Sequence, residues 1–341
     1  MPLHYPHACP PAAGAKVEVA PGVLWLRMPL PFQLDHINLW LLRDGDGWTI
    51  VDTGFAIDGV RAVWLQILAG LDAPVRRLIV THFHPDHLGL ASWLMNETGA
   101  QLWMTTSEFL TAHAMWNEVG GHGARFMVEQ FRQHGLDGER LARFEKRGSG
   151  YRMAVPGLPD YYHRLKAGDA VAVDGRKWHV FIGHGHSPEH MALYCAELGV
   201  VISGDMLLPK ISTNISVFAA TPEADSLGWF LESLGELARE IPERTLVLPS
   251  HGLPFTGVQA RIEELCVHHE ERLRALEEAC EDAPQSAAGL LDTLFQRALD
   301  THQTMFGMGE AIAHLNYLRE AGRLSCTTDA DGVIRFLRLQ H

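Results

Sequence analysis

The sequence predicts an α/β chain folded as a four-layer αββα sandwich, with a helical insertion at about 105–165 and a small helical domain at its C-terminal end. Three observations predict it. Strand-length apolar runs come in two batches, one before and one after the insertion, and each is joined to amphipathic helices. The stretch between the batches changes to helical spacing broken by glycines. From about residue 260 the chain becomes charged and helical and ends in a hairpin pattern, so the predicted domains are 1–260 and 261–341.

The elements follow in order. Residues up to Lys16 read as a loose arm. "VEVAPGVLWLRMP" gives two short strands about a Pro-Gly turn. "INLWLLRDGDGWTIVDTG" gives a hairpin turning at Asp44-Gly45-Asp46-Gly47. Asp58 is placed to cap the helix "GVRAVWLQILAG". "RRLIVTH" is a buried strand that delivers His82 at its end, followed by the helix "LGLASWLMNETG" and the strand "AQLWMT". "SEFLTAHAMWNEV", "ARFMVEQFRQHG" and "DGERLARFEKRG" form the insertion. Its Phe109, Trp116, Phe126, Met127 and Phe131 either bury against one another or form an apolar lid near a site. Strands resume with "AVAVDG", "KWHVFIGHG" and "HMALYCAELGVVISGD". The helix "SLGWFLESLGELAREI" and the strand "TLVLPSHG" close the sandwich. Beyond it, "RIEELCVHHEERLRALEEACE", "AAGLLDTLFQRAL" and "GEAIAHLNYLREAGRL" read as helices and "CTTDADGVIRFLRL" as a hairpin, the outline of a winged helix.

Composition narrows the function. A net charge of −13 argues against a general nucleic-acid or anionic-membrane binder, since both need a basic surface. No apolar run approaches a membrane span, and the N-terminus lacks a secretion pattern. Five scattered cysteines with no C-x-x-C pair suit reduced thiols, so a cytoplasmic protein is expected.

The densest chemistry lies in "THFHPDH", Thr81 to His87. His82 and His84, two apart on an extended chain, put both imidazoles on one side. Asp86 and His87, where the chain turns into a helix, can face a second point. Zinc takes about four ligands, one of them water in a catalytic site, so the stretch calls for partners elsewhere. Candidates stand at three further strand ends: "GHGHSPEH", Asp205 of "VISGDML" and His251 of "LVLPSHG".

This H-x-H-x-D-H run, with "GHSPEH", "SGD" and "PSHG" in that order, resembles the metallo-β-lactamase superfamily over about residues 17–260. The resemblance implies two divalent metals, zinc first, with manganese or iron admitted by oxygen-rich ligation. It implies His82, His84 and His186 on one metal, Asp86, His87 and His251 on the other, and Asp205 between them. It also implies Asp52 of "VDTG" as support for a histidine ligand. His186 fits the family's G-H-[ST] pattern, and His184, read as pointing the same way along the chain, stays an alternative. His190 fits either a supporting or substrate-contact role or a packed strand position. The lactamases with a Cys at the second metal would have it where this chain has Asp205, which argues against β-lactamase activity as the main role. The winged-helix outline is similar to the lactamase-B2-like, glyoxalase II-like subgroup, which includes an endoribonuclease.

The chemistry implied is hydrolysis by a metal-bridging hydroxide, with Asp86 as the catalytic carboxylate that orients it and takes its proton. The tail bears on the nuclease branch. Residues 285–341 hold Arg297, Arg319, Arg323, Arg335 and Arg338 against Asp292, Asp300, Glu310, Glu320, Asp329 and Asp331, and the candidate recognition helix Glu310–Leu324 is neutral. A phosphate-gripping module needs an excess of cations. The expectation is therefore a small-molecule acyl substrate, thioester or lactone, no nucleic acid, no membrane, and a structural or homodimerising tail. The alternatives are a metal-dependent endoribonuclease or phosphodiesterase, or a non-catalytic metal-binding regulator.

Overall fold

The computed structural model describes residues 3–148 and 150–340. The first half of the chain builds a seven-stranded sheet whose spatial order is its sequence order. The strands are β1 (Val17–Ala20), β2 (Val23–Pro29), β3 (His36–Asp44), β4 (Gly47–Val51), β5 (Val75–Ile79), β6 (Gln101–Thr105) and β7 (His163–Leu165). β1 to β4 pair antiparallel, and β4 to β7 pair parallel. Parallel pairing needs crossovers. They are α1 (Asp58–Ala69), the single turn α2 (Pro85–Leu88) with α3 (Ala91–Thr98), and then the insertion. The insertion contains α4 (Thr106–Asn117), α5 (Ala124–Gln133), α6 (Gly138–Arg147) and a further single turn, α7 (Tyr151–Ala154). The sequence anticipated neither α7 nor β7. Asp58 opens α1 as its first residue, after Ile57 at the cap position, and so does not cap it.

The second sheet has five strands: β8 (Ala170–Val173), β9 (Arg176–Gly183), β10 (His190–Cys195), β11 (Val200–Gly204) and β12 (Leu246–Pro249). α8 (Ser226–Glu240) makes the crossover from β11 to the parallel strand β12.

Alternation along the strands creates the four layers. On β2 and β3, Leu26, Met28, Ile37, Leu39 and Leu41 face the helices α1 and α3, while Trp25, Trp40 and Leu42 face the second sheet. That sheet answers with Val171, Trp178, Met191, Leu193 and Ile202. Its outer face carries Val201 and Val247 against Leu227, Phe230 and Leu234 of α8. The expected αββα sandwich is therefore formed.

The C-terminal part comprises α9 (Val258–Ala279), a 3-10 turn at Ala288–Leu290, the single turn α10 (Leu291–Leu294), α11 (Thr301–Glu320), and the hairpin β13 (Leu324–Thr328) with β14 (Ile334–Arg338). The helix expected over "AAGLLDTLFQRAL" is thus reduced to about two turns, and Phe295 leaves it in an extended conformation. α11 starts earlier than expected, because Asp300 caps it in a reciprocal box with Gln303. Residues 307–316 of α11 are buried without a break. Its polar side chains are used internally: Glu310 pairs with Arg272 at 2.6 Å, His314 lies 3.1 Å from His269, and Asn316 donates to the carbonyls of Pro222 and Ala224. One apolar cluster runs through α5, α6, α8, α9 and α11.

The apolar residues of the insertion divide between two cores, with Phe109 stacked on Tyr162 in one and Phe131 against Phe144 in the other. Phe109 and Trp116 pack with the first sheet's helical layer, while Met127 and Phe131 pack with the second's. The Trp116 indole donates to the Val155 carbonyl at 3.0 Å, under the Arg152 guanidinium.

At one end, polar bonds join the two sheets. The Asn38 amide nitrogen donates to the carbonyls of Pro249 (2.8 Å) and Gly252 (2.9 Å), and its backbone N–H donates to Ser250. The Met191 N–H donates to the Thr81 carbonyl across the same end. Asn38→Ala leaves buried carbonyls without donors, which costs roughly 1–3 kcal/mol per group. The unfolding midpoint in urea is expected to fall accordingly, and an unchanged midpoint would show that these bonds do not hold the sheets together.

Candidate metal centre

The polar seam is where the metal-binding residue types converge. β5 ends at Ile79, and Thr81–His84 leave it as a loop before α2 supplies Asp86 and His87. His186 sits in the β9–β10 loop, Asp205 directly follows β11, and His251 follows β12. His82, His84, His186 and Asp205 form one group, and Asp86, His87 and His251 a second. Within each group the candidate ligand atoms lie within 4.8 Å of one another. Asp205 faces both: its carboxylate is 3.4 Å from His186, 3.4 Å from His251 and 3.6 Å from His87. The structure brings together all seven residues that the sequence singled out.

Hydrogen bonds fix the tautomers. A carbonyl oxygen only accepts, so His186 Nδ1 donates to Asn214 (2.7 Å) and His251 Nδ1 donates to His36 (2.8 Å). His87 Nδ1 donates to the Asp52 carboxylate at 2.8 Å. The Thr81 hydroxyl donates to Asp52 and therefore accepts from His82 Nδ1 at 3.0 Å. Each Nε2 is left with a bare lone pair turned inward. His82 Nε2 lies 3.2 Å from His186 Nε2 and 2.9 Å from His84 Nδ1. Between His82 and His186 a shared proton would need an imidazolium, and burial together with the neighbouring histidines pushes the pKa of His82 well down. His84 is pushed down likewise, and its neutral Nδ1–H tautomer can donate to His82 Nε2.

The second group differs because it is rich in carboxylates. Burial opposes charge on His87, but Asp52, Asp86 and Asp205 outweigh it and hold its pKa well above the usual value. Burial likewise opposes charge on Asp205, yet the imidazoles of His251 and His87 hold its carboxyl well below the usual range. His87 Nε2 and Asp205 Oδ1 are buried with no hydrogen-bond partner. Buried polar atoms are normally paired. An unpaired ring nitrogen and an unpaired carboxylate oxygen beside closely grouped imidazoles are a set that divalent cations satisfy in place of protons, so the residues present fit metal ions.

The surroundings answer the points the sequence left open. Asp52, at φ 61° in the left-handed region, aims its carboxylate at both Thr81 and His87. His184 and His186 do not point the same way. Gly185 has φ 94°, and a Cβ there would lie 2.3 Å from the Ser226 carbonyl, so the chain turns between the two histidines. His184 is exposed and hydrogen-bonded to the Pro188 carbonyl. His190 is fully buried, and its Nε2 accepts from the Asp205 N–H at 3.0 Å, so it supports the backbone of Asp205.

Sequence reading missed Glu108. This carboxylate, 0% exposed, accepts from the Phe83 N–H, the Ser187 hydroxyl and the Glu189 N–H. Burial raises its pKa against the pull of those donors. Its signal was present but weak: an acid on the buried stripe of α4 with Thr111 and Ala112.

Sandwich and convergent donors together define a metallo-hydrolase type of centre. The family model of the metallo-beta-lactamase superfamily matches residues 33–251, and that of the metallo-beta-lactamase-like C-terminal domain matches 273–339. The chain belongs to the metallo-beta-lactamase superfamily. It is 24% identical to the probable metallo-hydrolase YqjP of Bacillus subtilis (strain 168), over 87% of this chain and 92% of that one. Among solved structures, it resembles a beta-lactamase domain protein from Burkholderia ambifaria at 48% identity and a TM-score of 0.92, covering 99% and 98% of the two chains. A metallo-beta-lactamase family protein from Thermus thermophilus follows at 32% identity and a TM-score of 0.80, covering 94% and 100%. Among the described residues, no helix is long and apolar enough to cross a membrane.

The two loop histidines give a direct test. His186→Ala is expected to remove about one equivalent of bound metal, whereas His184→Ala leaves the content unchanged, because only His186 turns a free nitrogen into the cluster. Elemental analysis of both purified variants reads this. Equal losses would overturn the choice of His186.

Proposed function

We propose that this chain is a dinuclear metal-dependent hydrolase acting on a small acyl compound, a thioester or lactone. The observation that carries the reading is the set of inward-turned nitrogens of His82, His84, His186, His87 and His251 around Asp205. Zinc suits the nitrogen donors, and the carboxylates also admit manganese or iron. Two such ions, when bound, supply an acidified water and positive charge against a developing oxyanion.

The chain's own residues do the rest. Asp86 is the more exposed carboxylate of the set, 3.5 Å from His251 Nε2 and 3.8 Å from His87 Nε2. It is the group placed to orient a water and accept its proton. Asp52 and the carbonyls of Asn214 and His36 hold the imidazoles in place before any substrate arrives. The reaction class agrees with the name of the Bacillus relative.

Two features favour an acyl substrate over a polyanion. Phe32, 41% exposed, lies on the loop leading to His36, edge-on to Phe55 at 5.4 Å and stacked on His302 at 5.2 Å. This is apolar surface beside the loops that support His251 and His87. The candidate recognition helix, by contrast, is buried in α11, its polar groups engaged internally. The burial of residues 310–316 speaks against entry into a nucleic-acid groove, and the net charge of −13 works against phosphate binding. The C-terminal part is therefore read as structural, with its boundary between the two matched family regions.

Three results test the proposal. Protein purified without chelator should contain about two metal ions per chain. Asp86→Asn should fold normally but lose at least about 100-fold in kcat/KM. In a thioester or lactone series, specificity should rise roughly fourfold per buried methylene, about 0.8 kcal/mol each, up to a cutoff. Phe32→Ala should flatten that rise. Trp116→Ala should instead lower the melting temperature, since its ring belongs to the core. Cleavage of RNA with a steep salt dependence, beside inert thioesters and lactones, would transfer the case to a nuclease.

A further inference from the structure

The geometry points to the helical insertion as a clamp on the first metal group: Glu108 of α4 and Tyr151 of α7 hold both polar groups of Phe83, the residue between His82 and His84. This rests on the reading above that His82, His84 and His186 hold a metal ion.

Phe83 lies beyond the end of β5, so no strand partner serves its backbone. Its N–H donates to Glu108 Oε2 at 2.9 Å, and its carbonyl accepts from the Tyr151 hydroxyl at 2.7 Å. Phe83, Glu108 and Tyr151 are all buried, at 2%, 0% and 4% exposure. An unpaired peptide group there would be costly, so the loop has one favourable seat. The rings reinforce it, with Phe83 against both Tyr151 and Phe218.

Glu108 does more than hold one loop. Its Oε1 accepts from the Ser187 hydroxyl (2.6 Å) and the Glu189 N–H (2.7 Å), in the stretch that follows His186. Glu189 binds the start of α4 in return, through the Ser107 N–H and the Thr105 hydroxyl. One carboxylate thus spans ligand-bearing loops that belong to opposite sheets. The second group rests on other residues: its imidazoles are held by Asp52 and the His36 carbonyl, and Asn38 holds the carbonyls on either side of His251. The clamp is specific to the first group.

Only an acceptor-only side chain suits Glu108. Three donors meet its two oxygens. A glutamine there must turn its NH₂ toward either the Phe83 N–H or the Glu189 N–H, releasing one loop at nearly unchanged volume. Tyr151→Phe removes the other bond and leaves the ring in place. Both are positioning residues, because neither reaches the metal group itself.

The test is a zinc titration of the metal-stripped full chain against a competing chelator, with melting temperatures recorded alongside. His84→Ala and His251→Ala identify the first-group and second-group binding steps. Glu108→Gln is expected to weaken the first-group step by roughly 10- to 100-fold while leaving the second within about threefold. Tyr151→Phe should weaken the same step by a smaller factor at a near-native melting temperature, and it decides the matter if Glu108→Gln does not fold. Equal weakening of both steps, or a lower melting temperature with both steps at native affinity, would overturn the clamp and leave the metal reading intact. A wild-type chain that binds no zinc would overturn the metal reading and the clamp with it.

Discussion

Electron pairs crowded into a buried space are the constraint on which the rest of the centre depends. His82 Nε2 faces His186 Nε2 at 3.2 Å, with the Nδ1 proton of each of these two rings already committed outward. Such an arrangement is repulsive unless a cation lies at its focus. It can be built only if the surroundings forbid the rings to rotate away. Thr81, Asp52, the Asn214 and His36 carbonyls and the packed ring of His190 impose that restriction. A cation at that focus would relieve the repulsion, and the partners that hold the rings would favour its binding.

The sandwich makes this restriction possible. Apolar contact holds the two sheets along most of their faces, through Trp25, Trp40, Trp178 and their neighbours. At the end where the ligands gather, contact gives way to polar bonds such as those of Asn38. The ligands emerge from strand ends and short loops at that seam, where the backbone is anchored on one side and free to turn on the other. Rigid elements on both sides hold the aim of each side chain, which loops alone would not.

Much of this was legible in the sequence, for identifiable reasons. The layers could be read because apolar runs such as that of Leu39, Trp40 and Leu41 come in two batches joined to helices, and a strand apolar on both faces lies between two layers. The metal-binding residue types could be read because imidazoles and carboxylates cluster at apolar strand ends. Three things could not. The turn between His184 and His186 depends on a glycine at positive φ, where a Cβ would collide with the Ser226 carbonyl. The shortened helix before α11 depends on where Phe295 and the Asp300 cap divide the chain. Glu108 has partners 25 to 81 positions away, and no local pattern reports such distances.

The scatter of the ligands along the chain orders events in time. The first group draws on β5 and on the second sheet, and the second group waits for His251, beyond β12. During synthesis, a nascent chain that has reached His87 presents only a fragment of either group, with affinity to match. The His36 carbonyl, on the first sheet, meets His251 only once the sheets have docked, whereas His186 and the Asn214 carbonyl both belong to the second half. Docking of the sheets therefore precedes tight ion capture, and the pairing of distant segments governs how soon the centre can mature. On the proposed metal reading, selection of the ion would therefore fall to a nearly finished fold rather than to an unfolded chain.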